Sequence, residues 1–167
     1  MNIDENKEKS TKRMQFPLDF DPFEGFNIDR KTEIREENTE EFHISSELMQ
    51  WPIKLNIISP WASAFKKDGL LIAADCTAYA YGNFHKDFIK GKTTLIACPK
   101  SEHKEVYESK IKEILSINHI NAITLVRMEV PCCMDMKEII VKAINRVGRY
   151  ISFEEIVIST DGKIITK

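Results

Sequence analysis

The 167-residue chain has no apolar run approaching the ~20 residues of a membrane span. Its first residues, MNIDENKEKSTKR, are polar and lack the apolar segment of a secretion signal. These absences point to a cytoplasmic protein. In that compartment disulfides are rare, and grouped cysteines more often bind metal or do redox chemistry. A formal net charge of −2 leaves no surplus of positive charge for nucleic acid or an anionic membrane surface. Paired carboxylates and Ser/His/Asp arrangements do not rise above background. Cysteine is scarce, with four in the chain and none before residue 76. They form no C-x-x-C pair, and neither Cys76 nor Cys98 opens the Cys-x₅-Arg pattern of a thiol phosphatase.

What is present belongs to an ordinary globular protein, with 43% hydrophobic and 30% charged residues, enough for one sizeable core. The composition shifts near residue 47. Residues 1–47 hold 13 of the 26 acidic and 7 of the 24 basic residues, a net of −6, while 48–167 are mildly basic at +4. So acidic a segment, poor in branched aliphatics, is expected to be a disordered or extended tail. Within it Phe16, Phe20, Phe23 and Phe26 recur at helix-like intervals, but Pro17 and Pro22 argue against a helix. An extended anchor for a partner or for this domain is the sharper reading, incidental aromatics in a linker the blander one.

From Trp51 the pattern alternates. IKLNIIS (53–59), GLLIAAD (69–75), TTLIA (93–97), AITLVRMEV (122–130) and EEIVIS (154–159) read as strands. Most are almost continuously apolar, as expected of strands covered on both faces. Between them, Tyr107, Ile111, Ile114 and Leu115 form one helical stripe, and Met136, Ile139, Ile140, Ala143, Ile144 and Val147 a second. Gly148 stands where a helix C-cap glycine belongs. Strands alternating with helices imply βαβ units. The expected domain, 48–167, is therefore a three-layer α/β fold with a mostly parallel sheet of about five strands, of the Rossmann or flavodoxin kind.

That architecture gives the cysteines a common address. Cys76 follows LLIAAD, Cys98 follows TTLIA, and Cys132 and Cys133 follow VRMEVP, so all four lie at or just past the carboxyl ends of expected strands. In an open parallel sheet those ends share the edge where ligands bind. Four thiolates around one point are the usual ligand set of an iron–sulfur cluster or a structural zinc. Core packing is the competing reading, since free cysteine is among the most buried residue types. Pro99 and Pro131 fix the backbone beside the cysteines, and Cys132 and Cys133 precede a helix whose N-terminal dipole favours thiolate. Lys100 is a candidate counter-charge, and Asp75 and His85 are candidate supporting groups or extra ligands. The first expected strand runs into SPWASAFKKD, which holds neither G-x-G-x-x-G nor a P-loop, so a nucleotide or flavin site is the weaker reading despite Trp61.

LLIAADCTAYAYGNFHKDFIKGKTTLIACPK (70–100) and VRMEVPCCMDMKEIIVKAI (126–144), preceded by LMQWPIKLNIISP (48–60), resemble the C-terminal domain of ferredoxin-like iron–sulfur proteins of anaerobic microbes. The resemblance spans roughly 48–150. Cys76, Cys98, Cys132 and Cys133 match the family pattern one by one, which strengthens the reading, drawn from chemistry and placement, that they hold a [4Fe–4S] cluster or, alternatively, zinc. The resemblance also implies electron transfer with a redox partner such as a ferredoxin or reductase subunit. The chain departs from that family in having no cysteine within 1–47, and hence no N-terminal ferredoxin module. A zinc-stabilised interaction domain and a thiol-redox enzyme using the Cys132–Cys133 pair or Cys98 are the alternatives.

Overall fold

A computed structural model of the chain describes residues 45–166. The tail reading falls on residues outside this range, apart from 45–47. Five strands form one sheet in the order β2-β1-β3-β4-β5: β1 (Gly69–Ala74), β2 (Thr93–Ala97), β3 (Ala122–Met128), β4 (Ser152–Ile158) and β5 (Ile164–Thr166). The first four are parallel, and β5 turns back antiparallel on β4. Helices α1 (Thr77–Ala80), α2 (Lys104–Ile117) and α3 (Asp135–Val147) complete the fold, with a π turn at His85–Ile89 and 3₁₀ turns at Ser63–Lys66 and Pro131–Cys133. This is the expected mostly parallel, three-layer α/β architecture. No helix among the described residues is long and apolar enough to cross a membrane.

Strand alternation divides the core in two. Leu70, Ile72, Ile123 and Leu125 point to the face covered by α2 and α3, where they meet Tyr107, Ile111, Leu115, Met136, Ile139 and Ile140. Leu71, Ala73, Val126, Met128, Ile156 and Ile158 point to the other face, beneath Phe84, Phe88 and Ile89 of the β1–β2 connection. There Phe88 packs its ring 5.2 Å from that of Phe84 and 5.3 Å from that of Tyr81. Each fully buried Leu or Ile contributes about 1.5–3 kcal/mol, so both faces hold the sheet. The α2 and α3 stripes read from the sequence are the ones buried. Gly148 caps α3 with φ +72°, a left-handed conformation that glycine adopts without steric cost.

One expected strand is absent. The backbone of residues 53–59 pairs with the sheet only where Lys54 bridges Ile96, the Leu55 amide donating to the Ile96 carbonyl at 3.0 Å and the Ile96 amide to the Ile53 carbonyl at 2.8 Å. The chain then turns, and the amides of Ile57 and Ile58 both donate to the Lys54 carbonyl at 3.0 Å. The apolar residues explain the error. Leu55 and Ile58, three apart, are buried, while Ile57 is 66% exposed, a turn's spacing rather than a strand's. The fifth strand is β5 instead, so Cys132 and Cys133 follow the third strand and not the fourth. The loop after the first true strand is accordingly DCTAYA rather than SPWASAFKKD, and it too carries no glycine signature.

Candidate functional site

The strand order creates a switch point. The β1–β2 connection lies on one face of the sheet, and α2 and α3, which follow β2 and β3, lie on the other. The connections leaving β1 and β3 therefore diverge to opposite faces, and the carboxyl edge between two such strands is where open α/β sheets bind ligands. Asp75 and Cys76 leave β1 on one side of it, and the segment from Glu129 to Cys133 leaves β3 on the other.

Short local turns fix these segments. Beyond β1, the buried Thr77 hydroxyl donates to the Ala74 carbonyl at 2.7 Å, and the amides of Tyr79 and Ala80 donate to the Cys76 carbonyl at 3.2 Å. Beyond β3, the Glu129 amide still donates to Ile158 at 2.9 Å, after which Pro131 starts a 3₁₀ turn. The proline's missing N–H is no loss at such a position. The Cys133 amide closes that turn on the Val130 carbonyl at 3.0 Å.

Three of the four thiols stand on the segments that flank this switch point. Cys76 and Cys132 are exposed, and Cys133 is buried in the apolar cluster of the second face. Burial pushes the Cys133 thiol above its ordinary pKa. A hydrogen bond at the Met128 backbone opposes the rise, while the neighbouring thiols of Cys132 and Cys76 add to it. Cys98 lies one strand further out, at the end of β2. Its carbonyl accepts from both the amide and the hydroxyl of Ser101 at 2.9 Å, forming a tight turn before α2. Among the described residues, which include all four cysteines, no three His, Cys, Asp or Glu side chains are gathered as a metal site. In this conformation the thiols therefore do not fit a metal or cluster as a finished ligand set.

The candidate supporting groups take other partners. Asp75 forms an ion pair with Lys54, while its second oxygen is buried without a partner among the described residues. The hydrogen bond to Asp75, opposed by burial, raises the Lys54 pKa, and Cys98 and Tyr107 bear on the same ammonium. Lys100 is directed toward Asp135 at 3.9 Å, and Lys104 toward the same carboxylate at 2.8 Å. These two ties join the α2 and α3 N-terminal regions. His85 begins the π turn and accepts the Glu47 amide proton on Nδ1 at 3.2 Å.

Sequence reasoning missed Lys54, whose place beside Asp75 and Cys98 was hidden inside the misread strand. It also missed Glu129 and the β4–β5 turn, which come to this edge only through the fold. The proximity of Glu129 to PCC was the one available signal.

With the architecture and this edge defined, comparison with known proteins places the fold. The Rossmann-like domain family matches residues 62–167. The chain belongs to that family. Its Rossmann-like domain is also similar to an uncharacterized protein of Archaeoglobus fulgidus, 27% identical over 118 residues that cover 71% of this chain and 83% of the relative. No solved structure matches it. What the domain presents at its switch point is thiols, rather than the glycine-rich phosphate loop of a dinucleotide-binding Rossmann fold.

Proposed function

We propose that this Rossmann-like domain binds a thiophilic group at its switch point through Cys76, Cys132 and Cys133, with Cys98 as the fourth ligand. An iron–sulfur cluster is the first candidate, and a single zinc ion the alternative. The carrying observation is the placement of Cys76 just past β1, and of Cys132 and the buried Cys133 just past the adjacent β3, on the edge where open α/β sheets bind ligands.

The unfinished geometry sets the energetic condition. Cys76 and Cys132 are exposed, so little packing opposes a local shift of either side chain. Closing two short turns costs a few kcal/mol at most, whereas structural zinc coordination supplies about 10–16 kcal/mol in small domains. Binding is thus expected to gather the ligands. Cys133 supplies a fixed, water-excluded corner, and Cys76 and Cys132 close from either side. Lys54, already charged beside Asp75 and Cys98, would offset part of the negative charge of the assembled thiolates. A bound cluster would supply one-electron chemistry, with a potential tuned by burial and by hydrogen bonds to sulfur. The partner would then be a separate redox protein such as a ferredoxin or reductase subunit.

Anaerobic reconstitution tests the proposal. Iron and sulfide, or zinc, should be retained by the wild-type chain and lost from Cys76→Ser, Cys132→Ser and Cys133→Ser. Protein that stays metal-free under these conditions would defeat it. A second reading follows from the adjacency of Cys132 and Cys133 in one 3₁₀ turn. In thiol–disulfide exchange, a Cys132 thiolate attacks a disulfide substrate and releases one thiol. A neighbouring protein thiol then displaces the second, leaving an intramolecular disulfide. Metal-free protein that reduces a small disulfide stoichiometrically would favour it.

A further inference from the structure

The turn between β4 and β5 touches both thiol-bearing segments. On one side Glu129, three residues before Cys132, accepts the Thr160 amide at 2.7 Å and the Thr160 hydroxyl at 3.2 Å on the same carboxylate oxygen. On the other side Gly162, at φ +81°, lies against the last residue of α1, so closely that a Cβ there would overlap the Ala80 carbonyl oxygen. Helix α1 is itself wound onto Cys76, whose carbonyl accepts the amides of Tyr79 and Ala80. The turn is internally braced. The Gly162 amide donates to the Ser159 carbonyl at 3.0 Å, the Ser159 amide to the Lys163 carbonyl at 2.8 Å, and the Lys163 amide to the Ser159 hydroxyl at 3.0 Å.

We propose that this turn is the positioning element of the thiol site, a bracket that holds the Cys76 segment against the Cys132–Cys133 segment. It rests on the reading of these cysteines as one site and assigns Gly162 and Glu129 the role of keeping them together. Neither residue touches a thiol. Gly162 acts by allowing the turn to seat on α1, because a Cβ there would overlap the Ala80 carbonyl oxygen and force the turn and the helix apart. Glu129 acts by tying the start of the Pro131–Cys133 turn to the same hairpin.

The test uses the full chain carrying Cys98→Ser and Cys132→Ser, which leaves one thiol on each segment, Cys76 and Cys133. Phenylarsine oxide is the probe, since it binds tightly only when two thiols reach the same arsenic. The parent should take up one arsenical per chain with loss of both thiols. Gly162→Ala should weaken uptake by about a hundredfold or more, because the advantage of simultaneous attachment disappears when the geometry forbids it. Gly91→Ala is the control: its φ of +78° is just as unsuited to alanine, but nothing lies within 4 Å of the added Cβ. It should bind as the parent does. Glu129→Ala, at an exposed position, releases the other tie and should also weaken uptake, with circular dichroism confirming a folded domain. If both bracket variants bind as tightly as the parent, the bracket is wrong and the site stands. If the parent itself takes up no arsenical, the shared site falls and the bracket with it.

Discussion

Replacing Cys133 separates its packing from its chemistry. The side chain is 3% exposed, among Val126, Met128, Ile156 and Ile158. Cys133→Ala removes one heavy atom from this cluster, a deletion comparable to Ile→Val, and should cost about 1 kcal/mol. Cys133→Ser replaces sulfur by a smaller oxygen and places a hydroxyl in apolar surroundings, at about 1–3 kcal/mol. A hydrogen bond at the Met128 backbone recovers part of that. Serine should therefore be no better tolerated than alanine, although it keeps a heavy atom at that position. At roughly 4 °C per kcal/mol, thermal melts of metal-free, reduced protein should resolve both variants from wild type. Metal content is read in parallel. Both variants should lose bound metal whatever their stability, because neither presents a thiolate. A serine variant more stable than the alanine variant would refute the apolar environment, and wild-type metal content in either would remove Cys133 from the ligand set.

Three further predictions concern the scaffold. The Glu155 carboxyl faces a burial effect that would raise its pKa, but hydrogen bonds from Lys137 at 2.6 Å and Arg127 at 2.7 Å outweigh it and hold the value below 4.5. Its stabilisation is therefore complete above that value and lost as pH falls through the lower, folded-state pKa. Glu155→Gln should cost about 2 kcal/mol at neutral pH and flatten the acid limb of stability, which urea midpoints from pH 7 to pH 3 would show. A variant that parallels wild type at every pH contradicts this. Ile58→Ala should cost about 2–5 kcal/mol and Ile57→Ala less than about 0.5 kcal/mol. The reverse order in urea titrations would restore a strand at 53–59. Gly148→Ala should cost about 1–2 kcal/mol from backbone conformation alone, since nothing lies within 4 Å of the new Cβ. A stabilised variant would mean that α3 ends otherwise.

The fold was legible where periodicity had one interpretation. TTLIA and GLLIAA are too apolar for a one-sided sheet, and Met136, Ile139, Ile140 and Ala143 fit only a helix. The run IKLNIIS misled because its apolar residues satisfy either a strand or a turn, and only the Lys54 bridge and the exposure of Ile57 decide between them. Strand β5 escaped because IIT is three residues long and acquires its partner only through the Thr160–Lys163 turn. The address of the cysteines followed from strand ends alone, and three of them stand on the two segments that flank the switch point. Side-chain directions were beyond reach of the pattern, which is why Lys100 proves to face Asp135, and His85 to face the Glu47 amide. The departure of Cys98 to the outer strand depends on strand order, which no local spacing encodes.

Metal stoichiometry of the full chain after anaerobic reconstitution bears most directly on the central proposal. Wild-type protein should retain iron and acid-labile sulfide, with sulfur-to-iron charge-transfer absorption, or else about one zinc per chain. Cys76→Ser, Cys132→Ser and Cys133→Ser should each lose it. A colourless wild-type protein without iron or zinc, with its exposed thiols freely titratable, would contradict the account.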